Sequence, residues 1–263
     1  MRIAFENEHV RLKNCRYGPM IYLHADQYIG QALDRYGEFS EGEAAFFRFL
    51  VKPHWTVLDV GANHGAHTIA LAKNVKAIHA FEPQRILFQL LCANVALNAL
   101  TNVHAHQMAV GRTLGIINVP TLDYTKSANF GALAMGGTGG EQVPLVTIDS
   151  LNLACQFIKI DVEGMEEEVI AGAELTLGKH KPILYLENDR PEKSAALIAQ
   201  LFDLDYRLYW HLPYYFNRNN YFRNAENIYG RTISVNMLAV HKSQPQEIKL
   251  REVLSTTDTW DNK

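Results

Sequence analysis

Four carboxylates stand at the ends of short apolar runs: Asp59 after Val57-Leu58, Glu82 after Ala80-Phe81, Asp161 after Ile158-Lys159-Ile160 and Glu187 after Leu184-Tyr185-Leu186. Ionised carboxylates accept hydrogen bonds, take protons and suit hard cations. The first of them is followed by a turn with two glycines, Gly61-Ala62-Asn63-His64-Gly65, and then by a helical run, Thr68-Ile69-Ala70-Leu71-Ala72. Glycine lets the chain turn sharply and lets a ligand approach where a Cβ would clash. The start of the helix offers unpaired N–H groups and a partial positive charge. Strand, glycine turn and helix start together suggest a site for a small, polar, partly anionic ligand.

The glycines do not make the dinucleotide fingerprint G-x-G-x-x-G, because Asn63 stands two after Gly61 and Gly65 four after. The pattern D-x-G-x-N-x-G instead resembles the S-adenosylmethionine loop of class I methyltransferases. Glu82 lies 23 residues after Asp59, about one helix and one strand away. In a β-α-β unit that spacing brings both strand ends to one edge of the sheet, where a carboxylate can accept from two ribose hydroxyls. NAD sites use the same device, so Glu82 points to a nucleoside-containing cofactor without choosing one.

The elements that must position these residues follow from the pattern. Met20 to Leu23 reads as a strand, Asp26 to Tyr36 as a short helix, and residues 1–39 as a lid or sheet extension. Ser40-Glu41-Gly42-Glu43 reads as a capping box before a buried helix ending near Pro53. From Trp55 strands and helices alternate, which argues for a parallel sheet. Gln84 to Ala99 has helical spacing, with Asn94 and Asn98 expected at its surface or end. Val103 to Ala109 is a third strand, whose Met108 is either plain core or an apolar wall for an adenine ring. Ile116–Val119 and Val143–Val146 break the rhythm as an inserted pair of strands. Between them, the Asn129-Phe130-Gly131 turn is a candidate to close over a cofactor, and Gly136 to Gly140 reads as a flexible tip without the lysine of a phosphate loop.

In the second half, Phe157, Lys159 and Asp161 share one face of a buried strand. Burying the Lys159 ammonium requires a partner, for which Asp161 or Glu187 is available. One helix is expected through Val169, Ile170, Ala173 and Leu177, with Glu163 as a possible cap. Tyr206–Trp210 and Thr232–His241 read as closing strands, and 243–263 as a polar, loose tail. His211 to Phe222 interleaves aromatics with asparagines, suited either to a sugar or to packing. His211 is the candidate histidine for acid/base work, while His64 and His67 match no complete metal pattern. The domain reading is an N-terminal extension at 1–52, a cofactor-binding domain at 53–242 and a tail at 243–263.

Composition sets the outer bounds. The chain has 263 residues, 48% hydrophobic, with a net charge of −3. That is enough for one α/β domain with additions. There is no basic run to favour nucleic acid and no apolar run near the ~18 residues of a membrane span. Three cysteines, Cys15, Cys92 and Cys155, without a C-x-x-C, and no visible signal peptide suggest reduced thiols and a cytoplasmic protein. Oligomeric state is left open.

Together, Leu58 to Gly65, Ala80-Phe81-Glu82-Pro83, Thr147-Ile148-Asp149-Ser150-Leu151, Phe157 to Gly164 and Pro182 to Glu187 resemble the FkbM family of S-adenosylmethionine-dependent methyltransferases. The resemblance implies a Rossmann-like class I fold, a seven-stranded mostly parallel sheet with its last strand antiparallel and helices on both faces. It implies methyl transfer to a hydroxyl of a sugar, glycan or natural product. Asp59, Gly61 and Gly65 would hold the methionine end of the cofactor, with Asn63 near its carboxylate. Glu82 would hold the ribose, Met108 would wall the adenine, and Asp161 would lie near the methyl group. Asp161, Glu187 or His211 would take the acceptor proton, and Asp161 with Glu187 would alternatively hold magnesium. The competing readings are a nucleotide-dependent oxidoreductase and a non-catalytic binding module on the same fold.

Overall fold

A computed structural model describes residues 4–131, 139–244 and 247–261. Gly136, Gly137 and Thr138 of the glycine-rich tip lie outside the described residues.

The chain opens with an antiparallel sheet, β1 (Phe5–Glu6), β2 (Val10–Cys15) and β3 (Gly18–Leu23), followed by α1 (Ile29–Tyr36) and α2 (Glu41–Leu50). The capping box does not form. Ser40 takes a left-handed conformation at φ 40° and its hydroxyl caps nothing. Glu43 consequently turns inward, where it is 4% exposed. Of the aromatics in α2, Phe47 is fully buried and Phe49 is 82% exposed, so only one face of this helix is core.

The alternation from Trp55 onward becomes β4 (Thr56–Val60), α3 (Ala66–Ala72), β5 (Ala77–Phe81), α4 (Arg85–Leu97) and β6 (Val103–His106). An inserted small sheet follows: β7 (Ala109–Val110) pairs parallel to β9 (Glu141–Val146), and β8 (Gly115–Val119) pairs antiparallel to β9. The main chain of elements resumes with β10 (Phe157–Ile160), α5 (Glu166–Ala171), α6 (Glu174–His180), β11 (Ile183–Glu187), α7 (Pro191–Asp203), β12 (Tyr206–His211), β13 (Asn236–His241) and β14 (Arg251–Val253).

Among the described residues the main sheet has eight strands in the order β14-β12-β13-β11-β10-β4-β5-β6. The five from β11 to β6 are parallel, and β13 inserts antiparallel between β11 and β12. The sheet thus has one strand more than the seven expected, and the supposed loose tail supplies it. Arg251–Val253 pairs antiparallel with β12, Val253 is buried, and Trp260 meets Trp210 edge-on. Val253, a β-branched residue in a polar segment, was the available signal for that strand.

The single helix expected through Leu177 is broken at Gly172. A Cβ there would overlap the carbonyl oxygen of Gly111, so the chain passes too close to the inserted sheet for any other residue. Asp149 restarts the helix: its carboxylate accepts from the N–H groups of Leu175 and Thr176 at 3.0 and 2.8 Å. Glu163 does not cap α5. The helix starts at Met165 without a side-chain cap, and Glu166 instead reaches back to accept from the N–H groups of Val162 and Gly164 in the preceding turn.

Asn94, in the middle of α4, is fully buried rather than exposed. Its side chain accepts from Ile21 N–H at 2.7 Å and donates to the carbonyls of Ile21 and His64. One side chain thus ties the N-terminal sheet to both the helix and the glycine turn.

Candidate functional site

A cavity of about 290 Å³ opens at the C-terminal ends of the parallel strands. Each strand delivers its terminal residues there because all five run the same way and stop on a turn. Gly61, Asn63, Glu82, Met108, Asp161 and Glu187 all line it. Gly61 has φ 80°, and a Cβ on it would overlap the Asp161 carbonyl oxygen, so this turn admits only glycine.

Glu82 is the best-defined group in the cavity. One carboxylate oxygen accepts from Asn63 N–H and the other from Gln84 N–H, each at 2.9 Å. These bonds fix the plane of the carboxylate and leave a lone pair on each oxygen for a ligand hydroxyl. Burial pushes its pKa up to about 7, against the pull of the two N–H groups and Lys159. The Asn129 turn does reach the site: Asn129 and Gly131 line the cavity, and Gln84 donates to the Phe130 carbonyl at 2.7 Å.

Asp59 and Gly65 are not among the lining residues. Asp59 is buried and receives a short hydrogen bond from Thr68 Oγ1, with Lys159 Nζ 3.5 Å from its Oδ1. It anchors the turn from behind the cavity lining. Gly65 begins α3 with φ 85°, close against Leu91. Lys159 pairs with Asp161 at 3.2 Å and donates to the Gly61 carbonyl at 3.1 Å. Burial disfavours the ammonium, but Asp161 and Asp59 outweigh it and raise its pKa. Among the described residues its ion pairs are with these two carboxylates and not with Glu187.

Asp161, Glu163 and Glu187 each present a carboxylate oxygen, and these atoms lie within 4.8 Å of one another. Burial and the neighbouring carboxylates Asp161, Glu163 and Asp189 push Glu187 well above the usual range. Glu163 rises to about 8, through burial and Asp161, although Arg190 holds it at 2.9 Å. Oxygen-only donors at this spacing are the set that hard divalent cations take.

His211 is not among the lining residues. It ends β12 with its ring stacked on Phe46, and its Nδ1 shares a 2.8 Å hydrogen bond with the Tyr185 hydroxyl. Burial lowers its pKa to about 4. Its geometry is that of a half-buried histidine packed between Phe46 and Tyr185. His67 lines the cavity instead, together with Tyr28, Phe39 and Tyr215. These rings come from the N-terminal segment and from the loop between β12 and β13. Tyr28 and Tyr215 lie 5.8 Å apart and Phe39 and Tyr215 5.7 Å apart, forming an aromatic wall opposite the glycine turn. Of the aromatic-asparagine loop, only Tyr215 reaches the cavity among residues 211–222; Tyr214 is exposed and Asn220 buttresses the loop internally.

A parallel sheet with one antiparallel strand beside β11, and a cavity at its carboxyl edge floored by a glycine turn, defines a class I methyltransferase fold. The Methyltransferase FkbM domain matches residues 59–208, more than half of the chain, and the chain belongs to that family. Among solved structures, a putative transferase from Pyrococcus horikoshii is 14% identical with a TM-score of 0.52, covering 89% of this chain and 72% of that one. A methyltransferase FkbM from Methylobacillus flagellatus KT is 18% identical with a TM-score of 0.47, covering 73% of this chain and 45% of that one. This chain therefore spans less than half the length of the Methylobacillus protein. M. jannaschii TYW2, in complex with AdoMet, is 14% identical with a TM-score of 0.47, covering 90% and 88%. No protein with a curated description matches. No helix among the described residues is long and apolar enough to cross a membrane.

Proposed function

We propose that this chain transfers a methyl group from S-adenosylmethionine to a hydroxyl of a sugar, glycan or natural product. The observation that carries the reading is the Glu82 carboxylate, set in plane by two backbone N–H groups and facing a cavity that begins at the Gly61 turn. Glu82 holds the ribose hydroxyls, Met108 sides the adenine, and Gly61 with Asn63 meets the methionine end. Asp59 and Gly65 shape that end without touching it. The methyl-transfer unit is residues 53–242, and the extension at 1–52 lends it Tyr28 and Phe39.

Methyl transfer from a sulfonium is an in-line displacement, so much of the catalysis is positioning. Asp161 and Glu187 stand on the strand ends beside the methionine end, and both are candidates to take the acceptor proton. The reading extends to a magnesium ion on Asp161 and Glu187, with Glu163 beside them, supplying a positive charge for an acceptor oxygen. The aromatic wall of Tyr28, Phe39 and Tyr215 suits the flat face of a sugar or other ring.

Calorimetric titration with S-adenosylhomocysteine, with NADH as control ligand, tests the cofactor. Micromolar binding of the homocysteine adduct alone is expected and would be followed by an acceptor screen starting with sugars. Binding of NADH alone would overturn the reading in favour of an oxidoreductase, and binding of neither would favour a non-catalytic module.

A further inference from the structure

Two buried ionisable side chains meet beside the cavity, and methyl transfer as described so far uses neither. His67, on the first turn of α3, has a side chain only 7% exposed and lines the cavity. Its Nε2 lies 3.3 Å from Glu43 Oε2, whose side chain is 6% exposed. The two are near but not aligned for a hydrogen bond, which leaves Nε2 a buried ring nitrogen with no hydrogen-bond partner among the described residues. Glu43 is braced from behind, where its Oε1 accepts from Asn236 Nδ2 at 2.9 Å. His67 is braced by rings: Phe47 meets it edge-on at 5.2 Å and Phe39 lies 5.7 Å away.

A buried polar atom without a partner is costly, so its persistence on a cavity wall needs a reason. A carboxylate behind an imidazole orients the ring and stabilises the imidazolium that forms when the ring takes a proton. We propose that His67, rather than Asp161 or Glu187, takes the acceptor's hydroxyl proton, with Glu43 holding the ring and balancing its charge. This rests on the methyl-transfer reading above. In the step, the acceptor oxygen forms a bond to the methyl carbon as the carbon–sulfur bond breaks. The sulfonium keeps that bonding pair and becomes a neutral thioether. The O–H pair stays on oxygen, and the proton passes to Nδ1, the ring nitrogen turned from Glu43, while Nε2–H faces the Glu43 carboxylate.

In the free chain burial disfavours the imidazolium, so His67 can hold a proton only against an ionised Glu43 carboxylate. Burial pushes Glu43 up to about 7, and burial with Lys159 pushes His67 down to about 3. Between those values the pair holds one proton, and above about pH 7 it is free to accept one. Lys159 and Asp161 of the strand edge, and the hydroxyls of Tyr185 and Tyr215, are the other titratable groups whose charge acts on Glu43 or feels it.

The test is nitrogen NMR of the full chain with ring-labelled histidine, saturated with S-adenosylhomocysteine and titrated from pH 5.5 to 8.5. Glu43→Gln is the test variant, Glu43→Asp the conservative one, and His67→Gln assigns the signal. The His67 ring is expected to report one titration near pH 7 in the native chain and in Glu43→Asp, absent in Glu43→Gln. Replacing the homocysteine adduct by sinefungin puts an ammonium where the sulfonium-bound methyl would stand. If His67 faces the transferred methyl, that charge lowers the midpoint by roughly one pH unit. A flat His67 signal, a titration surviving in Glu43→Gln, or a midpoint indifferent to sinefungin would overturn the proposal. Failure of the native chain to bind S-adenosylhomocysteine would instead sink methyl transfer itself, and this step with it.

Discussion

Lys159 and Asp59 are register partners across β10 and β4, and their side chains meet 3.5 Å apart, Lys159 on the cavity wall and Asp59 behind it. Neighbouring parallel strands put both side chains on the same face, so the pairing follows from register. With Asp161 at 3.2 Å on the other side, one ammonium serves two carboxylates. Breaking a buried pair leaves charge without compensation, at a cost of about 3–5 kcal/mol. Lys159→Met is therefore expected to lower stability by that amount in urea unfolding. A loss under about 1 kcal/mol would show that the pair contributes little to holding the turn.

Glu82 sets a pH dependence for cofactor binding. Ribose hydroxyls donate to the ionised carboxylate, so binding favours the deprotonated form. With the group raised to about 7, affinity for S-adenosylhomocysteine should grow as pH rises from 6 to 8 and fall away below. Glu82→Gln should remove that slope and weaken binding roughly 10- to 100-fold, the worth of hydrogen bonds to a charged group. Calorimetry at several pH values reads both; undiminished affinity in Glu82→Gln would end the ribose assignment.

The Asp161, Glu163 and Glu187 oxygens give the magnesium reading a direct check. Manganese, which takes the same oxygen ligands, should enhance water-proton relaxation when bound to the native chain. Glu187→Gln should abolish the enhancement. Equal relaxation in the two proteins would remove the metal from the mechanism and leave these groups as carboxylates alone.

Asn94 makes three hydrogen bonds from a fully buried position. Asn94→Leu leaves Ile21 N–H and two carbonyls without partners. The expected cost is roughly 2–4 kcal/mol, at about 1 kcal/mol per bond. Thermal unfolding should show it, with Asn98→Leu costing less because that side chain is only partly buried.

What was legible in the sequence is what strand periodicity controls. Asp59, Glu82, Asp161 and Glu187 could be placed at strand ends because each follows an apolar run, and parallel alternation brings such ends together. Whether a carboxylate faces the cavity or the protein depends on register and on the side chain across from it, which is why the sequence did not show Asp59 turned toward Thr68 and Lys159. The capping box failed for a related reason: Ser40 enters α2 in a left-handed turn, so the pattern S-x-x-E is present without its geometry. His67 and His211 are alike as letters. Only the packing of α2, which puts Phe46 on one and Glu43 beside the other, tells them apart. Val253 and Trp260 show the same limit, since a short edge strand in a polar tail carries little periodicity to read.

The aromatic wall is made from the two ends of the chain. Tyr36 donates to the carbonyl of Glu226, Glu38 accepts from Asn217, and Tyr229 donates to the carbonyl of Tyr28. The strands that carry the glycine turn and Glu82 lie close together in sequence, so their contacts close short loops, while the wall must close loops of about two hundred residues. Contacts across such long loops are expected to form late, so the packing of the segment from Tyr28 to Phe39 is completed only once the loop after β12 is in place. The half of the site assigned to the cofactor can therefore assemble first, and the half that would select the acceptor is finished last.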